Sequence, residues 1–149
     1  MSSRDTLLKY GLSMEVKFLN LVREHLRDTP IRIRKTTDEF CCVDFVIVNE
    51  ANNKNIVLEL KSRTIDLNKK PNFLIAYKKL YNIKSEYKNT DCLLVWSDTF
   101  ANVFYTKFTD ELLNSISGVV CNQKCFFIEK SKCNNGVDGL VEMIKSLLI

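Results

Sequence analysis

The sequence predicts a single α/β domain, residues 1–149, in which a mixed central β-sheet is flanked by helices. Three observations lead to this prediction. Amphipathic helical patterns open and close the chain and recur in the middle, and short apolar runs typical of strands lie between them. Two neighbouring runs are mostly apolar on both faces, as in a sheet that is covered on both sides. A chain of 149 residues is long enough to bury a sizeable core.

The helices are predicted from apolar residues that recur with helical spacing. The first spans Leu7 to Leu26. The second occupies residues 71–87, because the proline at its start suits the first turn of a helix. A short helix follows a cap at Thr109 or Asp110, and Asp138 is expected to cap the closing helix.

Strands are predicted where short apolar runs are rich in branched and aromatic residues. The predicted strands are Ile31–Lys35, Val43–Val48, Ile56–Leu60, Cys92–Trp96, Val103–Phe108 and Cys125–Glu129.

The second and third of these strands each carry an acidic residue among apolar ones. If the chain turns near residues 51–52, paired positions sum to about 103, and Asp44 lies opposite Glu59. Lys61 follows two residues after Glu59 and therefore shares its face. The opposite face of this hairpin is wholly apolar and is expected to pack against a helix. That face is formed by Val43, Phe45, Ile47, Ile56, Leu58 and Leu60.

Two facing carboxylates in an apolar setting need a counter-charge. Paired side chains lie about 5 Å apart, so two ionised carboxylates repel by about 3 kcal/mol at an effective dielectric near 20. A divalent cation between Asp44 and Glu59 removes this cost, and carboxylate oxygens suit Mg²⁺ or Mn²⁺. Lys61 offers an alternative, since its ammonium can neutralise the pair without a metal or lie beside a bound phosphate.

Composition excludes several classes of protein. Hydrophobic residues make up 46% and charged residues 27% of the chain, as in ordinary globular proteins, and no apolar run reaches transmembrane length. The N-terminus has charges among its apolar residues, unlike a secretory signal, so an intracellular location is expected, in cytoplasm or nucleus. The cysteines are expected to be thiols there, and Cys121, Cys125 and Cys133 lack the spacing of a zinc site.

Positive charge is concentrated in the middle of the chain. Residues 54–88 contain nine Lys or Arg and three acids, whereas residues 89–149 contain five and seven. A basic region around a carboxylate pair suits a phosphate-backbone substrate, although a lysine-rich solvated helix face explains the same charge. Candidate backbone contacts are Arg32, Arg34, Arg63, Lys69, Lys70 and Lys78.

The order of these features resembles the PD-(D/E)XK nuclease superfamily, over roughly Leu7 to Ser97. The matching residues are Glu15 on the first helix, Asp44 within C-V-D-F, and Glu59 and Lys61 within E-L-K. Small size and the early glutamate are most similar to archaeal-type Holliday junction resolvases. The chain departs from the superfamily pattern in one position, because Val43 replaces the usual proline before the aspartate.

The resemblance implies a restriction-endonuclease-like core and a metal-dependent endodeoxyribonuclease. Asp44, Glu59 and the Leu60 carbonyl would hold one or two Mg²⁺ ions, for which Mn²⁺ could substitute. Glu15 would complete the metal shell, and Lys61 would position the attacking water or stabilise the transition state. Tyr77 and Lys78, on the helix that follows, are further candidate contacts.

The substrate and the oligomer are likewise implied by the resemblance. Branched DNA, in particular a four-way junction, is the favoured substrate, and resolvases of this type act as symmetric dimers. Another repair or nicking nuclease, or a nucleic-acid-binding module that does not cleave, remains an alternative. The late phenylalanines are expected to fill the core more than a dimer surface; they are Phe100, Phe104, Phe108, Phe126 and Phe127.

Overall fold

A computed structural model describes residues 3–36 and 42–149, with side chains in the first helix from residue 13 onward. The helices are α1 (Ser3–His25), α2 (Tyr77–Glu86) and α3 (Val137–Leu147). The strands are β1 (Ile31–Lys35), β2 (Phe45–Asn49), β3 (Asn55–Arg63), β4 (Asn72–Ala76), β5 (Cys92–Asp98), β6 (Val103–Lys107), β7 (Ser117–Val120), β8 (Gln123–Glu129) and β9 (Asn134–Asn135). Within the described ranges, no helix combines the length and the apolar character needed to cross a membrane.

The strands form two sheets. The larger sheet has the order β1-β2-β3-β5-β6-β9 and is mixed, because β3 and β5 run parallel while the other neighbours are antiparallel. Parallel strands need a long crossover, and here it contains β4 and α2. The smaller antiparallel sheet has the order β4-β8-β7. The predicted mixed central sheet flanked by helices is therefore confirmed.

The register of the β2–β3 hairpin is the predicted one. Phe45 pairs with Leu58 and Ile47 pairs with Ile56, so paired positions sum to 103. The turn between the strands is closed by the Asn49 amide, which donates to the Lys54 carbonyl at 2.9 Å. This register depends on apolar alternation, because a slip of one residue would move every apolar side chain to the other face.

Both faces of the large sheet are covered. On one face, Phe45, Ile47 and Leu58 pack with side chains of α1 and α3. On the other, Val57 packs with residues of α2 and of the smaller sheet. Val43 was predicted on the first face, but it belongs to the second cluster because strand pairing begins only at Phe45.

The helix predicted over residues 71–87 is wrong in its first part. Residues 72–76 form β4, and α2 begins only at Tyr77. The strand exists because Phe73 pairs with Ile128 and Ile75 with Phe126, which buries both β4 side chains. The strands β7 and β9 and the separation of a second sheet were not predicted from the sequence.

The remaining predictions of local structure have mixed outcomes. Asp138 lies in the first turn of α3, whose cap residue is Gly136. The late phenylalanines divide, since Phe104 and Phe126 are buried whereas Phe100 is 59% exposed. Cys41 lies outside the described part of the chain. The cysteines within that part are thiols, namely Cys42, Cys92, Cys121, Cys125 and Cys133.

A buried carboxylate fixes the segment that follows β3. Asp98, at the end of β5, accepts hydrogen bonds from the backbone amides of Leu67 (2.7 Å), Phe100 (2.9 Å) and Asn102 (2.9 Å), and from the Asn102 side chain. Although burial alone would raise the pKa of Asp98, these donors hold it below its ordinary value. The carboxylate thereby ties the β5–β6 turn to the loop that carries Lys69.

Replacing Asp98 by alanine is expected to lower the free energy of unfolding by about 2–4 kcal/mol, because buried amides lose their acceptor. Exposed Asp110→Ala, the matched control, is expected to cost under about 0.5 kcal/mol. Since the pKa of Asp98 is lowered, its contribution is present above the ordinary value of 3.8 and is lost as pH falls below it. Urea unfolding at pH 7 and pH 3 measures both effects. An equal loss from the two variants would contradict this role.

Candidate active site around Asp44 and Glu59

The hairpin brings the two carboxyl groups together. Phe45 pairs with Leu58, and Asp44, just before Phe45, donates its amide to the Leu58 carbonyl at 3.1 Å, which brings it beside Glu59. The Asp44 carboxylate accepts a hydrogen bond from the Leu60 amide at 2.8 Å, which fixes its orientation. The Asp44 carboxyl group lies close enough to Glu59 to contribute to a raised pKa of Glu59.

Glu59 is almost completely buried, with 2% of its surface exposed. The pKa of Glu59 is raised from 4.5 to about 8, chiefly by burial and also by the neighbouring Asp44 carboxyl group, against the opposing effect of Lys61 and Lys79. At neutral pH Glu59 therefore holds a proton in the metal-free protein. Such a strongly perturbed carboxyl group, next to a second one, is typical of functional sites.

Lys61 lies on the same face of β3 as Glu59, two residues further along. Burial lowers the pKa of Lys61, and the neighbouring Glu59 acts in the opposite direction. A lowered pKa brings the ammonium closer to the range in which an amine exchanges protons at physiological pH. The half-buried Lys61 can therefore carry a positive charge or, more readily than an exposed lysine, lose it.

A second lysine, which the sequence analysis did not select, contacts the pair. The Lys79 ammonium lies 3.0 Å from Oε2 of Glu59 and donates to the Cys42 carbonyl at 2.9 Å. Burial tends to lower the pKa of Lys79, but Glu59 and Asp44 act more strongly, so that the pKa is raised. Lys79 is thus the cation that holds Glu59 in the metal-free protein.

The two residues proposed on the same helix lie elsewhere. Tyr77 stacks on Phe126 with ring centroids 4.9 Å apart and has the Lys124 ammonium 4.2 Å from its ring centre. Lys78 is exposed. One feature of the sequence distinguishes Lys79 from Lys78. Lys79 directly precedes the buried Leu80 and thus borders the apolar face of α2.

Glu15 is linked to Asp44 through Lys35 and Thr36. Its carboxylate forms an ion pair with Lys35 at 2.5 Å, at the end of β1. The next residue, Thr36, donates its amide to the Asp44 carbonyl at 2.8 Å. Among the residues that the structure describes, no three acidic, histidine or cysteine side chains lie close enough together to form a metal site by themselves.

The donor groups at the pair nevertheless suit a hard divalent cation. Asp44 and Glu59 supply carboxylate oxygens. Leu60, which lies between Glu59 and Lys61 in the sequence, supplies a backbone carbonyl oxygen. Mg²⁺ is commonly held by one or two carboxylates, with the remaining positions filled by water or substrate phosphate. Because burial makes Glu59 keep a proton, a divalent cation that replaced this proton would stabilise the ionised carboxylate.

The predicted backbone-binding residues lie on both sides of the pair. Arg63 follows Lys61 on the same face at the end of β3, and burial lowers its pKa. Lys69 and Lys70 are exposed in the turn after that strand. Arg32 and Arg34 are exposed on β1. Basic side chains thus occur on β1, at the end of β3 and in the loop that follows β3.

A cavity of about 720 Å³ lies away from these carboxyl groups, between the end of α2 and the chain segments at the start of β5 and the end of β6. Two of the lysines that line it have acidic partners, as Lys84 lies 3.6 Å from Asp110 and Lys107 lies 3.2 Å from Asp91. The carboxyl pair, with its unusual pKa, is therefore the stronger candidate for chemistry.

Comparison with known proteins gives similarity to solved structures and none to known sequences. No family model matches the chain, and no curated protein sequence matches it. Among solved structures, the chain is similar to Hjc from Archaeoglobus fulgidus, a Holliday junction resolvase from an archaeal hyperthermophile. The sequences are 14% identical, the TM-score is 0.46, and the match covers 78% of this chain and 88% of that one. The activity of this chain is therefore argued from its own residues.

Proposed function

We propose that this protein is a metal-dependent DNA endonuclease that hydrolyses phosphodiester bonds at the Asp44–Glu59 pair. The observation that carries the proposal is the buried Glu59 carboxyl group, which lies next to Asp44, has the Lys79 ammonium 3.0 Å away and has Lys61 on the same face of its strand. Paired carboxylates with adjoining cations are suited to hold Mg²⁺ or Mn²⁺ beside a negatively charged phosphate.

Each residue has a defined part in this proposal. Asp44, oriented by the Leu60 amide, and Glu59 would hold the cation together with the Leu60 carbonyl. When bound, the cation supplies an activated water and stabilises charge on the phosphoryl oxygens. Lys61 orients the attacking water and stabilises the developing negative charge. Glu15 is proposed to assist from α1, since its partner Lys35 lies next to the strand position that bonds to Asp44.

Hydrolysis joins the water oxygen to phosphorus and breaks the bond from phosphorus to the 3′-oxygen. The water proton passes to solvent, and the leaving oxygen takes up a proton, which gives a 5′-phosphate and a 3′-hydroxyl. The basic residues on both sides of the pair would contact neighbouring phosphates. We further propose branched DNA, in particular a four-way junction, as the substrate, and a symmetric homodimer that makes paired cuts.

The test is a cleavage assay with labelled four-way junction, duplex and single-stranded DNA, in Mg²⁺, Mn²⁺ or EDTA. We expect cleavage of the junction in Mg²⁺ or Mn²⁺, no cleavage in EDTA, and product ends that a ligase rejoins. Equal rates on duplex and junction would contradict the junction preference. DNA binding without cleavage of any substrate would overturn the nuclease and favour a module that only binds nucleic acid.

A further inference from the structure

Four arginines surround a groove at the edge of the large sheet, between the end of α1 and β1. The groove has a volume of about 400 Å³ and an apolar floor that includes Leu26 and Ile33. Its charged lining residues are Arg23, Arg27, Arg32, Arg34 and Glu50. Four positive charges thus face one negative charge in this groove. Arg32 and Arg34 are already candidate backbone contacts, and the groove joins them to Arg23 and Arg27 of α1 and the turn that follows it.

Two of these arginines are held in place by the backbone. Arg23 donates to the Ile33 carbonyl at 3.3 Å, across the outer edge of β1. Arg32 donates to the Thr29 carbonyl at 2.5 Å and to the Ile31 carbonyl at 2.9 Å. A guanidinium has five donors in a fixed plane, so each side chain keeps donors for a ligand while its position is restricted.

The other two arginines have only exposed partners. Arg27 lies 2.9 Å from Glu24, and Arg34 lies 3.8 Å from Glu50, with all four side chains more than half exposed. Exposed ion pairs of this kind contribute about 0–1 kcal/mol and exchange readily. Both guanidinium groups can therefore turn to a phosphate, whose oxygens match the arginine donors in bidentate geometry.

The groove is within reach of a DNA strand that passes the carboxyl pair. Thr36 bonds to Asp44, and Arg34 lies two residues before Thr36 on β1. Two residues along a strand and two strand spacings across the sheet, from β1 to β3, separate the Cα atoms of Arg34 and Glu59 by about 12 Å. The side chain of Arg34 also points to the same face as Glu59, since its partner is Val46.

We propose that this arginine groove binds the phosphodiester backbone of the DNA a few nucleotides from the bond that is cut. The path of the DNA from the groove to the carboxyl pair rests on the proposed function. The affinity of the groove for phosphates does not depend on cleavage. Charges along an edge strand also serve to block pairing with another sheet. Under that explanation the arginines would prevent association and leave DNA binding unaffected, so the two roles give different experimental results.

The experiment compares wild type with the double variant Arg27→Gln, Arg34→Gln, which spares the backbone-bound arginines. The control, Lys132→Gln with Lys145→Gln, removes the same charge outside the groove. Fluorescence anisotropy with labelled four-way junction DNA in EDTA gives the Kd at several KCl concentrations. We expect the Kd of the groove variant to rise roughly ten- to hundredfold at 0.1 M salt, and the log–log salt slope to become shallower by about 1.8, or 0.9 per phosphate.

Three outcomes would overturn the groove proposal: a Kd and salt slope unchanged in the groove variant, an equal change in the control, or self-association of the variant with unchanged DNA binding. Thermal unfolding verifies that both variants are folded. The proposed nuclease is tested separately. If wild type binds DNA through the groove but cuts no substrate, the groove proposal holds and the proposed activity fails. If wild type cuts DNA and the groove variant binds DNA as tightly as wild type, the activity holds and the groove proposal fails.

Discussion

Replacing Glu59 by glutamine is expected to abolish metal-dependent DNA cleavage while it stabilises the metal-free protein above neutral pH. The variant loses one of two carboxylates proposed to hold the cation, and a loss of several kcal/mol of transition-state stabilisation corresponds to a rate at least roughly a thousandfold lower. Glutamine retains the shape of the side chain but does not ionise. The folded variant therefore avoids the cost of a charged carboxylate that is only 2% exposed.

The stability effect has a defined pH dependence. The pKa of Glu59 is raised from 4.5 to about 8 in the folded protein, so between these values the folded state holds a proton that the unfolded state has lost. The contribution of this group is fully present below pH 4.5 and is lost as pH rises toward 8. Its slope reaches about 1.4 kcal/mol per pH unit, and Glu59→Gln is expected to remove it.

Urea unfolding of wild type and variant at intervals from pH 5 to pH 9, without metal, measures this difference. Glu111→Gln is the control, because it makes the same substitution at an exposed position. Mn²⁺ is expected to raise the Tm of wild type and of Glu111→Gln but not that of Glu59→Gln. If the free energies of unfolding of wild type and Glu59→Gln changed with pH in parallel, Glu59 would not carry the proton. If Glu59→Gln cleaved DNA at the wild-type rate, Glu59 would not belong to the active site.

The geometry of the carboxyl pair could be predicted because its cause is local. Apolar alternation on both strands permits one register, and the polar turn between them is short, so Asp44 and Glu59 must be neighbours. The same alternation predicted that the sheet is covered on both sides. What the sequence did not reveal is the burial of Glu59, which depends on α2 and therefore on packing between distant segments.

The errors arise where local patterns are ambiguous. Residues 72–76 contain apolar side chains that fit a helix continuing into α2 as well as a strand. The strand forms because β8, about fifty residues later, pairs with it, and no local signal in β4 reports this partner. The apolar side predicted for the helix included Leu80 and Ile83, which are buried in α2. Lys78 was predicted from the family resemblance, but it is exposed, whereas Lys79 contacts Glu59.

Replacing Lys79 by methionine is expected to destabilise the protein by an amount that grows with pH. Its ammonium lies 3.0 Å from Glu59, and its side chain is 26% exposed. At pH 5 Glu59 is protonated without help, so the variant loses little. At pH 9 wild type has an ionised Glu59 beside a charged Lys79, whose pKa is raised, and removing one partner of such a pair costs about 3 kcal/mol.

Lys78→Met provides a matched control, since it makes the same change one residue away at an exposed position. The double variant Lys79→Met, Glu59→Gln is expected to recover most of the stability at pH 9, because no charge remains to be neutralised. The free energies of unfolding of wild type, both single variants and the double variant give the coupling directly. Equal losses at pH 5 and pH 9, or a double variant no more stable than Lys79→Met, would mean that Lys79 acts through packing and not through its charge. A coupling that grows with pH would instead identify Lys79 as the internal cation of the carboxyl pair, in the place where a divalent metal is proposed to act.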